Sequence, residues 1–270
     1  MRLGSRGRLP RRHPGCSKVN NRAVRIIAAV VLMGLPPMAA AQKNVDGFAA
    51  RVYRNARAQS MPYRLFTPAG FNSQAKYPLI LWLHGSGSVG TDNLKQISSA
   101  SLRGTHLWTQ PQNQAKYPAF VLAPQSPAGW ANFSSNDLSR EMTLVLEILE
   151  SLQGEFNIDS TRIYVAGQSM GGYGAWDLIT KRPGLFAAAI PLCGGGDTTK
   201  AAGAAKTATW AFHGDADPTV PVTMSRDMIA AVRKAGGNPR YTEYKGVGHD
   251  VWVRAVREPG LVDWLFAQRR

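Results

Sequence analysis

Three residues of this sequence, in chain order Ser169, Asp217 and His249, have the types needed to attack a carbonyl carbon and move the proton that attack releases. Ser169 sits in Gly167-Gln168-Ser169-Met170-Gly171, a G-x-S-x-G pattern followed by Gly172. A serine hydroxyl is barely acidic at neutral pH, so it becomes a nucleophile only beside a general base. His249, within Gly246-Val247-Gly248-His249-Asp250, is the candidate base. Asp217, within His213-Gly214-Asp215-Ala216-Asp217-Pro218, is the candidate acid that fixes the imidazole's tautomer and stabilises the imidazolium. Attack on an acyl group creates an oxyanion, which needs two N–H donors aimed at it. The N–H after the nucleophile, on Met170, and that of Ser86 in His84-Gly85-Ser86-Gly87 are the candidates.

The competing carboxylates are Asp215, which reads as a turn-former, and Asp250, which adjoins His249 too closely to orient it easily. His84 precedes Ser169 in the chain and reads as a brace for its own loop; His106 and His213 read as structural or incidental. Trp108, Trp130, Phe133 and Trp252 are candidates for a substrate pocket, although an aromatic side chain more often belongs to the core.

A five-residue pattern is weak without elements to hold it. Leu79–Leu83, Ala119–Ala123, Arg162–Ala166, Ala187–Leu192 and Thr209–Phe212 are short, nearly continuous apolar runs. Strands covered on both faces read this way, as in a parallel sheet between helices. Leu138, Met142, Val145, Leu146, Leu149 and Leu152 recur at helical spacing, and Tyr173–Lys181, Met224–Ala235 and Glu258–Gln268 are expected to be helices, with Pro259 in the first turn of the last. Residues 48–66 read as two antiparallel strands, and 85–114 as a long polar loop of functional kind. The alternation predicts an α/β fold of three layers with a mostly parallel central sheet. Ser169 then falls in a turn from strand to helix, Ser86 just past a strand, and Asp217 and His249 each just past another.

The formal net charge of +15 is concentrated at the start of the chain. Residues 1–41 carry eight Lys or Arg and no acid, which leaves 24 basic against 17 acidic residues beyond them. The remainder shows no basic helix face, so nucleic acid is not expected as a partner. A basic stretch ending at Arg25, an apolar run from Ile26 to Leu35 and the small residues Ala39-Ala40-Ala41 predict a signal peptide over 1–41, a domain over 42–270 and a secreted or periplasmic mature chain without stable membrane insertion. Of the two cysteines, Cys16 lies in that segment and Cys193 reads as a small buried hydrophobe.

Taken in order, these motifs resemble the carboxylesterase and predicted-peptidase branch of the α/β-hydrolase superfamily, akin to phospholipase/carboxylesterase, dienelactone hydrolase and polyhydroxybutyrate depolymerase-like families. The segments that carry the resemblance are Tyr63-Arg64-Leu65, Tyr77-Pro78-Leu79-Ile80, His84-Gly85-Ser86-Gly87, Gly90-Thr91-Asp92-Asn93, Ala123-Pro124-Gln125, Arg162-Ile163-Tyr164, Gly167–Gly172, His213–Asp217 and Gly248–Trp252. The resemblance implies the triad Ser169, Asp217 and His249, the donors Ser86 and Met170, and a rim near Asp92-Asn93. It implies neither metal nor organic cofactor. The expected activity is hydrolysis of small carboxylic esters or of acylated polysaccharide, acetyl and feruloyl esters among them. A serine peptidase of the same fold would use the same triad, and a non-catalytic binding protein would have no need to keep it.

Overall fold

The computed structural model describes residues 44–98 and 102–270; the segment expected to be a signal peptide lies outside the described residues. The run Tyr77–Leu83 forms strand β3, buried along its whole length. Successive side chains of a strand point to opposite faces. Leu79, Leu81 and Leu83 accordingly enter one apolar cluster, while Ile80 and Trp82 enter another. The other strands are β1 (Phe48–Arg54), β2 (Ser60–Phe66), β4 (Phe120–Pro124), β5 (Ile158–Gln168), β6 (Ala188–Leu192), β7 (Ala208–Gly214) and β8 (Arg240–Tyr244). They form one sheet in the order β1-β2-β4-β3-β5-β6-β7-β8, with β1 and β8 at its edges. β2 runs antiparallel to both neighbours and pairs Phe48↔Phe66 through Arg54↔Ser60 with β1; from β4 to β8 every pairing is parallel.

Helices cover both faces. On the first lie α3 (Arg140–Glu155), α4 (Met170–Lys181), α5 (Ala201–Ala204) and α6 (Thr223–Lys234), whose Val145, Ile148, Trp176, Ile179, Ala204 and Met228 share a cluster with Leu79, Leu81 and Leu83. On the second lie α1 (Leu102–Thr109), α7 (Trp252–Ala255) and α8 (Leu261–Ala267), which pack Leu107, Trp108, Ala255, Leu261 and Leu265 with Ile80 and Trp82. A further short helix, α2 (Pro111–Lys116), follows α1. The architecture is the expected three-layer α/β-hydrolase fold.

Two local expectations need correction. The stretch 85–114 is not a continuous loop, because α1 and the start of α2 lie in it. Its polar composition conceals Leu107 and Trp108, which α1 turns into the second core. The last helix begins at Leu261 behind Gly260, whose φ of 75° is left-handed, so Pro259 stands before the helix and not in its first turn. Among the described residues no helix is long and apolar enough to cross a membrane.

Candidate active site

Ser169 occupies the turn between β5 and α4 with φ 53° and ψ −118°, a conformation that L-residues adopt only under constraint. Such a backbone costs of order 1–3 kcal/mol and persists where the surroundings over-determine it. The surroundings do so here through close approach. A Cβ on Gly167 would lie 2.3 Å from the Gly171 carbonyl oxygen, and one on Gly171 would lie 2.0 Å from that of Leu83. The glycines flanking the serine therefore let helix and strand meet, and the G-x-S-x-G spacing is a steric requirement. The Ser169 N–H donates to the Leu192 carbonyl at 2.9 Å, tying the turn to β6.

β7 and β8 deliver the other two residues. His249 Nε2 is 2.8 Å from Ser169 Oγ, and His249 Nδ1 is 2.7 Å from Asp217 Oδ2. The sequence separations are 80 and 32 residues, so the contact exists only because parallel strands bring their carboxyl ends together. The Asp217 side chain is inaccessible to solvent. Its Oδ1 accepts the N–H groups of Thr219 at 2.8 Å and Val220 at 2.9 Å. Burial alone would raise this carboxyl, but the Val220 N–H, the His249 imidazole and the Thr219 N–H outweigh it and hold it below the usual carboxylate range. An ionised Asp217 keeps the Nδ1 proton on its own side and leaves Nε2 to accept the serine's proton.

Met170 and Ser86 are each the first residue of a helix, α4 and a short 3-10 turn (Ser86–Ser88). A first helical residue has no intrahelical acceptor for its N–H. The Leu83 and His84 carbonyls against Gly171 bring the segment after β3 alongside the start of α4. The His84 ring is fully buried beneath it. Nδ1 donates to the Gly85 carbonyl at 2.8 Å and Nε2 accepts the Ser126 N–H at 3.0 Å, a pattern that only the neutral ring satisfies. Burial pushes this imidazole down to about 4, and His84 is a brace.

The aromatic candidates divide. Trp108, 3% exposed, and Trp130, fully buried, present almost no surface to a substrate. Trp108 fills the core beside Trp82, whereas Trp130 donates its indole N–H to the His84 carbonyl at 2.9 Å and stands edge-on to that ring. Trp252 stands edge-on to His249 with ring centroids 5.5 Å apart. Phe133 is 43% exposed and meets Tyr173, one helical turn after Ser169. Tyr173 went unsuspected in the sequence, although its position four residues after the nucleophile is the available signal. The loop bearing Phe133 is fastened to α4 by a buried Asp177–Lys181 pair at 2.8 Å: the Asn132 N–H donates to Asp177, and Lys181 donates to the carbonyls of Asn132 and Asp137.

Asp215 accepts the Gly246 N–H at 2.6 Å, joining the turns after β7 and β8, and Asp250 is exposed. His106 faces Asp46 at the surface. Asn93 takes the Gln125 side chain on its N–H and ties the 90–93 segment to the sheet. Cys193 is fully buried, burial pushes its thiol far up, and Sγ donates to the His249 carbonyl at 3.5 Å.

The sequence model of the family described as "Putative esterase" matches residues 55–217, more than half of the chain. The chain belongs to that family. It is a carboxylic-ester hydrolase. Across 206 residues it is 28% identical to a protein of Aspergillus terreus named "Probable feruloyl esterase C", covering 76% of this chain and 73% of that one. It is 40% identical to a thermostable esterase of known crystal structure, with a TM-score of 0.79, covering 83% of this chain and 64% of that one. A solved ferulic acid esterase superimposes with a TM-score of 0.62 at 17% identity, which is a likeness of fold.

Proposed function

We propose that this esterase cleaves its ester through Ser169 as nucleophile, His249 as general base and acid, and Asp217 as the orienting acid. The unbroken hydrogen-bond chain from Ser169 Oγ through His249 to Asp217 carries the proposal. As Ser169 Oγ bonds to the ester carbon, its proton passes to His249 Nε2, and the carbonyl oxygen takes negative charge between the N–H groups of Ser86 and Met170. Collapse breaks the bond to the alcohol oxygen, which leaves with the proton from Nε2. The acyl-enzyme remains. Water repeats the sequence, giving its proton to His249 and returning Ser169 with the free carboxylic acid.

The substrate class we infer is an aromatic acyl ester, such as a feruloyl group on a polysaccharide. Relatives named as feruloyl esterases support it, as do Trp252 beside His249 and Phe133 with Tyr173 beside the start of α4. A polymer substrate fits export, for which residues 1–41 have the composition of a signal peptide. The test is a fluorophosphonate probe with peptide mapping, followed by rates on methyl ferulate, short aliphatic acyl esters and peptides. One adduct on Ser169, absent from Ser169→Ala, and a preference for the ferulate are expected. Labelling that survives Ser169→Ala would refute the nucleophile; a preference for short aliphatic esters would refute the substrate class.

A further inference from the structure

His213, set aside above as structural or incidental, is fully buried at the end of β7, four residues before Asp217. A buried histidine is ordinarily a satisfied core residue, and what satisfies this one is the loop that carries the acid. Its Nε2 lies 3.0 Å from the Val220 carbonyl and 3.3 Å from Asp217 Oδ2, the oxygen that also takes His249. Two oxygens facing one ring nitrogen place the proton on Nε2. The other nitrogen, Nδ1, is 2.7 Å from Ser225 Oγ on α6, and that hydroxyl is 2.9 Å from the Gly194 carbonyl after β6. Burial holds His213 below the usual imidazole range, in keeping with a neutral ring.

Asp217 therefore accepts three N–H groups, Thr219 and Val220 on Oδ1 and His249 on Oδ2, while the His213 Nε2, bonded to the Val220 carbonyl, faces Oδ2 at 3.3 Å. Val220 closes a ring, since its N–H holds Asp217 while its carbonyl is held by His213. We propose that His213 is a positioning residue for ester hydrolysis, which locks the Asp217 carboxylate in the orientation that His249 requires and keys the acid loop to α6 and to the segment after β6. The proposal rests on Asp217 being the acid of the triad. The titratable groups facing His213 are Asp217 on its own loop, His249 after β8, and Glu243 on β8, the last paired with Arg226 of α6.

The test is steady-state kinetics on the full chain, with fluorophosphonate labelling to count competent sites. His213→Leu removes the Nε2 donor and is expected to lower kcat by about 10²-fold at nearly constant KM, an orienting group's effect in place of a binding group's. The acid limb of its kcat/KM profile should move to higher pH, because a carboxylate that loses the N–H facing its Oδ2 holds a charged His249 more strongly. A role confined to folding would leave that limb where it is. Glutamine can present an amide N–H near the position of Nε2 and asparagine only near that of Nδ1, so His213→Gln should exceed His213→Asn in kcat. That comparison holds if the leucine variant does not fold. Equal kcat in the glutamine and asparagine variants, or a leucine variant with unchanged kcat and limb, would overturn the proposal. Activity retained by Ser169→Ala would overturn the triad with it; an inactive Ser169→Ala beside an unaffected His213→Leu would overturn this inference alone.

Discussion

His84 and His249 are both histidines near Ser169, and their surroundings give them opposite duties. The His84 ring has a carbonyl on one nitrogen and an N–H on the other, so the folded chain resists its protonation. The unfolded chain binds that proton near 6.5, whereas the folded one binds it near 4. Stability therefore declines as the pH falls from about 6.5 to about 4 and is flat with respect to this group below that, by up to roughly 3 kcal/mol. Urea midpoints for the wild type and for His84→Gln, which does not titrate, would test this; equal slopes in that window would contradict it. Ser169, Asp217 and His249 were legible in the sequence because each is a polar residue in a turn that punctuates apolar runs. Trp108 and Trp130 were not, since tryptophan, though more often core, suits a pocket as well and only tertiary neighbours decide. His213 shows the same limit, for nothing local to His213-Gly214-Asp215 reveals that its ring reaches Val220 and Ser225.

At the scale of elements, strands buried on both faces announced themselves, and the short helices did not. α1 spans eight residues, too few for a period to stand out from polar neighbours. Its seat on the sheet depends on Gly104, where a Cβ would come within 1.9 Å of the Trp82 ring. Gly104→Ala gains helix propensity but must displace a fully buried indole, and overpacking of that kind costs about 1–3 kcal/mol. A melting temperature lower by about 2–4 °C per kcal/mol is expected for a chain of this size, with kcat of the folded protein unchanged. A melting temperature equal to or above that of the wild type would mean that the indole yields without cost.

For the molecule as a whole, the sheet order could be read in class but not in detail: alternating runs implied parallel neighbours and residues 48–66 an antiparallel pair, while the antiparallel seating of β2 on β4 follows from long-range pairing alone. That order also decides how the protein wears out. Ser169 stands at the end of β5, inside the sheet, but His249 follows β8, which has one strand neighbour and no buried residue. Sheet edges open at a smaller free-energy cost than sheet centres. Departure of β8 would silence the serine while most tryptophans still report a folded core, so turnover should vanish at a lower urea concentration than native fluorescence. Coincident transitions would show that the edge and the centre melt together. Shelf life would then be governed by one peripheral ribbon, and reinforcing the β7–β8 pair would prolong activity more than any improvement to the interior.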